Sequence, residues 1–202
     1  MTTKKMENVI KRLVAFDLDS TLMNTPSPEE GIPMWEKATG EKYPHKESDW
    51  WYNPESLDLE IFDIQPFPAV MNQFKQEKAT PNTLVFILTS RPEKLRSEVQ
   101  VIMDKHGIDV ELEMFSNDNR TKGDKIIELL DWYPDLEEIN VYDDRQKEID
   151  RYLAVKDKIP EYITFNIYVA DEGKLALYNP EKGITGVINE EIQNFFNSIY
   201  KK

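Results

Sequence analysis

The sequence predicts an α/β fold in which a central parallel sheet carries helices on both faces. Short apolar runs alternate with helical segments from about residue 12 to residue 170, and parallel strands require such helical connections. Three of the apolar runs end in polar residues that can take part in chemistry, and ligands of parallel sheets bind where the strands end. The chain has 202 residues, of which 40% are hydrophobic, which is enough to build one domain with a core.

Five strands are predicted, because a buried parallel strand is a short continuous apolar run. The first spans residues 12 to 18 and ends in carboxylates. The others span 83 to 88, 108 to 115, 139 to 142 and 162 to 169. A turn at 171 to 173 follows, and residues 174 to 178 are expected to pair back as a hairpin.

Helices are predicted between these strands. Residues 93 to 105 follow Pro92, which suits the first turn of a helix. Thr121 is expected to cap a helix that runs to Trp132 and stops before Pro134. Another helix is predicted to end near residue 156, and a last amphipathic helix spans 189 to 200.

Residues 23 to 81 break the alternation. They contain eight of the twelve prolines and three of the four tryptophans, namely Trp35, Trp50 and Trp51. A segment this long between two core strands indicates a folded insertion, and its aromatic content argues against disorder. We therefore predict a core domain formed by 1–22 and 82–202, with a small cap-like insert at 23–81.

Charge and composition exclude several classes of function. The net charge is −13, whereas nucleic-acid binding rests on basic side chains, so no extended nucleic-acid surface is expected. Between Met23 and Val70 the basic residues are Lys37, Lys42 and Lys46. No apolar run approaches the roughly 20 residues of a membrane helix, and no signal peptide is visible, so we expect a cytoplasmic protein without a membrane partner. The absence of cysteine excludes disulfides and thiolate zinc sites.

The first strand ends in Asp17-Leu18-Asp19-Ser20-Thr21. Two carboxylates two positions apart on an extended segment face the same way. This spacing suits one nucleophile and one acid/base group, and carboxylate and carbonyl oxygens are the ligands that Mg²⁺ prefers. The alternative is a chance Asp-x-Asp in a loop at a strand end.

The second strand ends in Thr89-Ser90-Arg91. Hydroxyls and backbone amides at a helix N-terminus bind anions, and the Arg91 guanidinium offers a fork for phosphate oxygens. Taken alone, however, this segment is explained by an ordinary helix cap.

The fourth strand ends in Asp143-Asp144-Arg145. Adjacent carboxylates at a buried strand end repel one another unless a cation lies between them, which predicts a metal site; the alternative is an acidic loop in an acidic protein. Lys125, on the preceding helix, could neutralise charge around a phosphoryl group, although a lone lysine also fits a solvated surface.

The four pieces together, in this chain order, resemble the four motifs of the haloacid dehalogenase (HAD) superfamily. The segments at 16 to 22, 88 to 91 and 142 to 145 are similar to one branch of it, which includes the 3′-phosphatase domains of polynucleotide kinases and the Swiss Army Knife RNA-repair-like proteins. Residues 50 to 57 are similar to a tryptophan-rich segment of the latter group. The similarity spans roughly 12 to 170 and implies a Rossmann-like HAD fold.

The resemblance also implies roles. Asp17 would be the nucleophile and Asp19 the acid/base, while Asp17, Asp19, Asp143 and Asp144 would hold Mg²⁺. Thr89 and Lys125 would hold the transferring oxygens, and Ser90, Arg91 and Arg145 would bind the phosphate. Trp51 is a candidate for stacking on a base, although most rings of the insert are expected to form its core. His45 and His106, the only histidines, are interpreted as structural.

The expected substrate is a phosphorylated small molecule or a short nucleic-acid end, and in particular a nucleotide or a nucleic-acid 3′-phosphate. Two alternatives stay open. One is a phosphatase for an unrelated small phosphomonoester, and the other is a catalytically weak HAD-fold binding module. Because every expected catalytic position is filled, the sequence disfavours the second alternative.

Overall fold

The computed structural model describes residues 9–117, 119–171, 173–179 and 183–187. Within these residues, one sheet of seven strands runs in the order β3-β2-β1-β4-β5-β6-β7. The strands are β1 (Arg12–Phe16), β2 (Thr83–Pro92), β3 (Glu113–Ser116), β4 (Glu138–Asp143), β5 (Thr164–Asp171), β6 (Lys174–Asn179) and β7 (Gly183–Val187). β1 to β5 pair in parallel, and β6 and β7 are antiparallel.

The order of the strands places the site. The chain builds β2 and β3 on one side of β1, and then β4 and β5 on the other side. Phe16 at the end of β1 lies opposite Ile87 on β2 and Tyr142 on β4, so these strands reach one edge together. The change of direction beside β1 is a topological switch point, where open α/β sheets bind ligands.

Helices cover both faces, as predicted. The helices are α1 (Pro28–Thr39), α2 (Pro68–Ala79), α3 (Arg96–Lys105), α4 (Lys122–Trp132) and α5 (Gln146–Val155). Val14 and Phe16 belong to a core cluster with α2 and α3, whereas Leu13 and Ala15 belong to a second cluster with α4 and α5. Alternate residues of β1 therefore serve opposite faces, as the two-residue period of a strand requires.

Two predicted boundaries are confirmed. Thr121 caps α4: its side chain accepts a hydrogen bond from the backbone of Asp124, and the Asp124 carboxylate accepts one from the backbone of Thr121. β5 and β6 form the predicted antiparallel hairpin.

The prediction for the end of the second strand is wrong. β2 continues through Thr89, Ser90 and Arg91 to Pro92, and α3 begins only at Arg96, after a 3₁₀ turn. Proline disfavours helical geometry in the residue before it, and Pro92 itself is extended, with ψ of 150°. The hydroxyls therefore lie on a strand and do not cap a helix.

The remaining differences concern the edges of the sheet. β3 covers only the last three of the eight predicted residues and extends one residue further, to Ser116. β7 was not predicted. The predicted helix at 189 to 200 lies outside the described residues. No helix in the described part of the chain is long and apolar enough to cross a membrane.

Residues 23 to 81 fold around Trp50. This segment contains α1, α2 and two 3₁₀ helices, Glu47–Tyr52 and Pro54–Leu57. Trp50 is fully buried, and its Nε1 donates to the carbonyl of Pro26 at 2.9 Å. A Cβ atom on Gly31 would lie 2.2 Å from the Trp50 ring, so the backbone of α1 packs in direct contact with the indole. α2 packs through Phe74 against Phe16 of the sheet. The division into core domain and insert stays a prediction.

Candidate active site

Three carboxylates meet at the ends of β1 and β4. Asp17 is the first residue after β1. Asp143 is the last residue of β4, and Asp144 follows it. The backbone N–H of Asp17 donates to the carbonyl of Tyr142 at 2.9 Å, which continues the pairing of β1 with β4 beyond Phe16. As a result, one oxygen of each carboxylate lies within 4.8 Å of the others. The register of two parallel strands thus creates a dense negative centre.

A lysine bridges this centre, but it is Lys122 and not the predicted Lys125. The Lys122 ammonium lies 2.8 Å from Oδ1 of Asp17 and 2.7 Å from Oδ2 of Asp143. Lys125 lies one turn further along α4, and its ammonium donates to the carbonyl of Phe115. The physical reason is the position on the helix: Lys122 is the first residue after the Thr121 cap and so lies nearest to the strand ends.

Burial and mutual repulsion shift the pKa values of these groups. Burial, followed by the charges of Asp143, Asp144 and Asp19, raises the pKa of Asp17 well above its usual range, although Lys122 opposes this. Burial and the neighbouring Asp143 raise the pKa of Asp144 to about 7. Burial alone would lower the pKa of Lys122, but Asp143 and Asp17 raise it, so its ammonium stays charged.

The residues present fit a divalent cation with oxygen ligands. Three carboxylates share one small volume, and burial together with their mutual repulsion raises the pKa values of Asp17 and Asp144, a repulsion that a cation would relieve. Asp143 is already engaged: Lys122 and the Tyr152 hydroxyl donate to its Oδ2, and the backbone N–H of Arg145 donates to its Oδ1. Among the side chains of the described residues, Thr21 alone donates to Asp144, over a long distance of 3.4 Å, so Asp144 is the more available ligand.

Asp19 is held by Arg91. Nε and Nη2 of the guanidinium donate to the Asp19 carboxylate over distances of 2.7 to 3.0 Å. Arg91 is 1% exposed, whereas the Asp19 side chain keeps 17% of its surface open to the cleft. Ser20 then has a φ of 55°, which turns the chain sharply after Asp19. The Arg91 donors thus point to Asp19, Trp51 and Ser56, and a contact of Arg91 with phosphate stays a prediction.

The hydroxyls of β2 lie at different depths. Thr89 is buried, and its Oγ1 accepts a hydrogen bond of 3.1 Å from the backbone N–H of Arg91. Ser90 faces the cleft. The predicted pair of hydroxyls is therefore split into one buried residue that shapes the backbone and one that lines the site.

The cleft has a volume of about 460 Å³ and gathers residues from the whole chain. Six residues predicted to lie at the site line it together with Trp51: Asp17, Asp19, Ser90, Arg91, Asp144 and Arg145. The segment 23–81 adds Ser27, Pro28, Glu29, Ser48 and Tyr52 to the walls. The Trp51 ring lies against the Arg91 guanidinium, 5.3 Å from the centre of the ring. The neighbouring Tyr52 side chain is half exposed to solvent.

A larger depression of about 670 Å³ lies elsewhere, between α3 and β3. Its central cation, Arg96, is paired with Glu93 and Glu113 and lies over the Phe115 ring. The charge of Arg96 is thus balanced by its neighbours, and, among the described residues, no cluster of carboxylates comparable to that of the cleft lines this depression, so the cleft is the better candidate for an active site.

Sequence reasoning missed three residues of the site: Lys122, Tyr152 and Ser56. For Lys122 a signal existed, since the predicted Thr121 cap places it in the first turn of α4. Tyr152 lies on the inward face of α5, where a tyrosine is also an ordinary core residue. Ser56 lies 35 residues from Arg91 in the chain, and no local pattern links them.

Comparison with known proteins bears on the fold. No protein-family model matches the chain. An uncharacterized protein of Saccharomyces cerevisiae is 25% identical over 172 residues, which cover 72% of this chain and 37% of that protein. The HAD domain of the effector protein Lem4 from Legionella pneumophila superposes with a TM-score of 0.55 at 13% identity, and the match covers 96% of both chains. The chain has the HAD fold.

Two further solved structures match a smaller share of the chain. One belongs to the Pnkp1/Rnl/Hen1 RNA repair complex, with a TM-score of 0.49, 18% identity, and coverage of 81% of this chain and 44% of that one. The other is a haloacid dehalogenase-like hydrolase from Streptococcus pneumoniae, with a TM-score of 0.46, 15% identity, and coverage of 74% and 82%. The chain thus spans less than half the length of the yeast relative and of the repair-complex chain.

Proposed function

We propose that the protein is a Mg²⁺-dependent phosphomonoester hydrolase that forms an aspartyl-phosphate on Asp17. The observation that carries the proposal is the centre formed by Asp17, Asp143 and Asp144, with Lys122 bridging the first two. A nucleophilic carboxylate in phosphoryl transfer needs nearby positive charge, and this centre offers one fixed ammonium and the oxygen ligands for a divalent cation.

Asp17 would attack phosphorus with the oxygen that Lys122 leaves free. Lys122 holds Oδ1 at 2.8 Å, which fixes the carboxylate and opposes the rise in its pKa that burial causes. Asp17, Asp144 and Asp143, together with the backbone carbonyl of Asp19, would hold Mg²⁺, which when bound neutralises the phosphoryl oxygens. Attack forms the Asp17–phosphorus bond and breaks the bond between phosphorus and the ester oxygen.

Asp19 would move the protons. It lies two residues from the nucleophile and opens to the same cleft. In the first step it donates a proton to the departing ester oxygen. In the second step it accepts a proton from the water that attacks the acyl-phosphate, and inorganic phosphate leaves. Arg145 and Ser90, which also line the cleft, are proposed to bind the phosphate oxygens.

A nucleotide or a short 3′-phosphorylated nucleic-acid end is the proposed substrate class. A cleft of about 460 Å³ has the size of a small-molecule site, and Trp51 and Tyr52 in its wall offer ring faces to a base. The net charge of −13 argues against a long polynucleotide track. Residues 23–81, which supply both rings, are proposed to act as the cap.

A phosphatase screen with Mg²⁺ tests this proposal. It should compare nucleoside 3′- and 5′-monophosphates, a 3′-phosphorylated oligonucleotide and sugar phosphates, with Asp17→Asn as the control. We expect the wild type to release phosphate from nucleotidic substrates in the presence of Mg²⁺, and we expect Asp17→Asn to release none. Preference for a sugar phosphate would contradict the proposed substrate class but would agree with the proposed reaction. Absence of turnover on every substrate would favour a binding module.

A further inference from the structure

We propose that Ser56 is a positioning residue for Asp19 and acts through Arg91. The inference rests on the proposed function, because it takes Asp19 as the proton donor. It assigns to the segment 23–81 a part in the chemistry itself, in addition to forming a wall of the cleft.

The guanidinium of Arg91 joins two parts of the chain. Nε and Nη2 contact the Asp19 carboxylate, while Nη1 donates to Oγ of Ser56 at 2.7 Å and to the carbonyl of Trp51 at 3.4 Å. The face of the guanidinium lies over the Trp51 ring. One side of the group is therefore fixed by Asp19, three residues after the end of β1, and the other side by the two 3₁₀ helices of residues 47–57.

The Ser56 hydroxyl can serve only as an acceptor towards Arg91. Its own hydrogen is used, because Oγ donates to the carbonyl of Asn53 at 2.8 Å. Ser56 has no exposed surface and Arg91 is 1% exposed, so water cannot readily replace this bond. Without the hydroxyl, a buried N–H of a charged group would keep only the long contact to Trp51.

Loss of the Ser56 hydroxyl would affect Asp19, the proposed proton donor. A bidentate pair fixes both the position and the plane of a carboxylate, and a general acid must lie within hydrogen-bond reach of the departing oxygen. If Nη1 loses Ser56, the guanidinium can tilt, and Asp19 tilts with it. The loss should matter most for substrates whose leaving group needs a proton.

Two substrates of nearly the same shape separate this role from a structural one. Phenyl phosphate has a poorer leaving group than p-nitrophenyl phosphate, and the two esters differ by one nitro group. The quantity to measure is kcat/KM with Mg²⁺, because it covers the steps up to transfer of the phosphoryl group. Ser56→Ala should lower kcat/KM about tenfold on phenyl phosphate and less than about twofold on p-nitrophenyl phosphate.

The matched control is Thr39→Ala. Thr39 is also a hydroxyl residue of the insert that donates to a backbone carbonyl, that of Trp35 at 2.9 Å, but it is exposed on α1. Thr39→Ala should leave kcat/KM unchanged on both esters. If Ser56→Ala lowers the melting temperature, Ser56→Cys, which keeps the volume but accepts hydrogen bonds weakly, should give the same selective loss.

An equal loss on both esters, or no loss on either, would overturn the role of Ser56 while turnover by the wild type and Thr39→Ala upheld the proposed function. No turnover by the wild type on either ester or on any nucleotidic substrate of the screen would overturn both the proposed function and the inference that rests on it.

Discussion

Lys122 makes closer contact with the proposed nucleophile than any other cation in the described part of the chain. We expect Lys122→Met to abolish turnover, because Asp17 loses the charge that fixes its carboxylate and opposes its protonation. Breaking a buried ion pair also leaves unpaired carboxylates, so the free energy of unfolding should fall by roughly 3–5 kcal/mol without Mg²⁺. Phosphate release and urea denaturation measure the two effects.

Lys125→Met is the matched control, three residues along the same helix. Its ammonium bonds to the carbonyl of Phe115 and not to Asp17. It should keep most of the activity of the wild type. Retention of activity by Lys122→Met together with its loss in Lys125→Met would reverse the assignment of the two lysines.

The raised pKa of Asp144, about 7, makes a second prediction at the scale of the residue. The native state holds this proton more tightly than the unfolded state, so the group contributes stability at low pH that is lost as the pH rises from about 4 to 7. Without Mg²⁺, Asp144→Asn should therefore be more stable than the wild type at pH 8, and the difference should shrink steadily as the pH falls towards 4.

Thermal unfolding of both proteins, with and without Mg²⁺, tests this. Mg²⁺ should raise the melting temperature of the wild type at pH 8 and raise that of Asp144→Asn much less. A metal-free wild type that is more stable than Asp144→Asn at pH 8 would show that Asp144 is favourably ionised without a cation.

At the scale of the elements, α1 and the Trp50 ring hold residues 23–81 together. Gly31→Ala would place a methyl group 2.2 Å from the indole, and overpacking of this kind typically costs about 1–3 kcal/mol. Helix propensity alone predicts the opposite sign, because alanine is favoured over glycine by up to about 1 kcal/mol. The sign of the change in unfolding free energy thus decides which effect wins.

Met34→Ala on the same helix is the control, since Met34 is half exposed. It should change stability by less than about 0.5 kcal/mol. If Gly31→Ala stabilises the protein, the contact between α1 and Trp50 is looser than the structure indicates.

The sequence predicted the elements that carry the site better than the contacts within it. Continuous apolar runs identified β1, β2, β4 and β5, and their ends identified Asp17, Asp143 and Asp144, because parallel strands converge at one edge. The bond between Arg91 and Asp19 joins residues 72 positions apart in the chain, and no local pattern specifies such a contact. Which of Lys122 and Lys125 faces the carboxylates depends on the rotation of α4 about its axis. The Thr121 cap was the one feature of the sequence that could have favoured Lys122, because it fixes where α4 begins.

On the scale of the whole molecule, the fold brings β1, β4 and the start of α4 together, and we propose that this arrangement makes Asp17 a phosphoryl acceptor. Asp17→Asn removes the acceptor but keeps the volume, and we expect it to abolish turnover while preserving the melting transition. Excess chelator should likewise abolish turnover by the wild type, and Ca²⁺ should not restore it, because its longer, looser coordination would misplace the nucleophile.

The most direct measurement is chemical capture of the phosphorylated residue. Hydroxylamine converts an acyl-phosphate into a hydroxamate, and peptide mass spectrometry locates it. With p-nitrophenyl phosphate and Mg²⁺, the wild type should carry the hydroxamate on Asp17, and samples without substrate or with Asp17→Asn should carry none there. Phosphate release by a wild-type enzyme that never forms the adduct on Asp17, or full turnover by Asp17→Asn, would contradict the account.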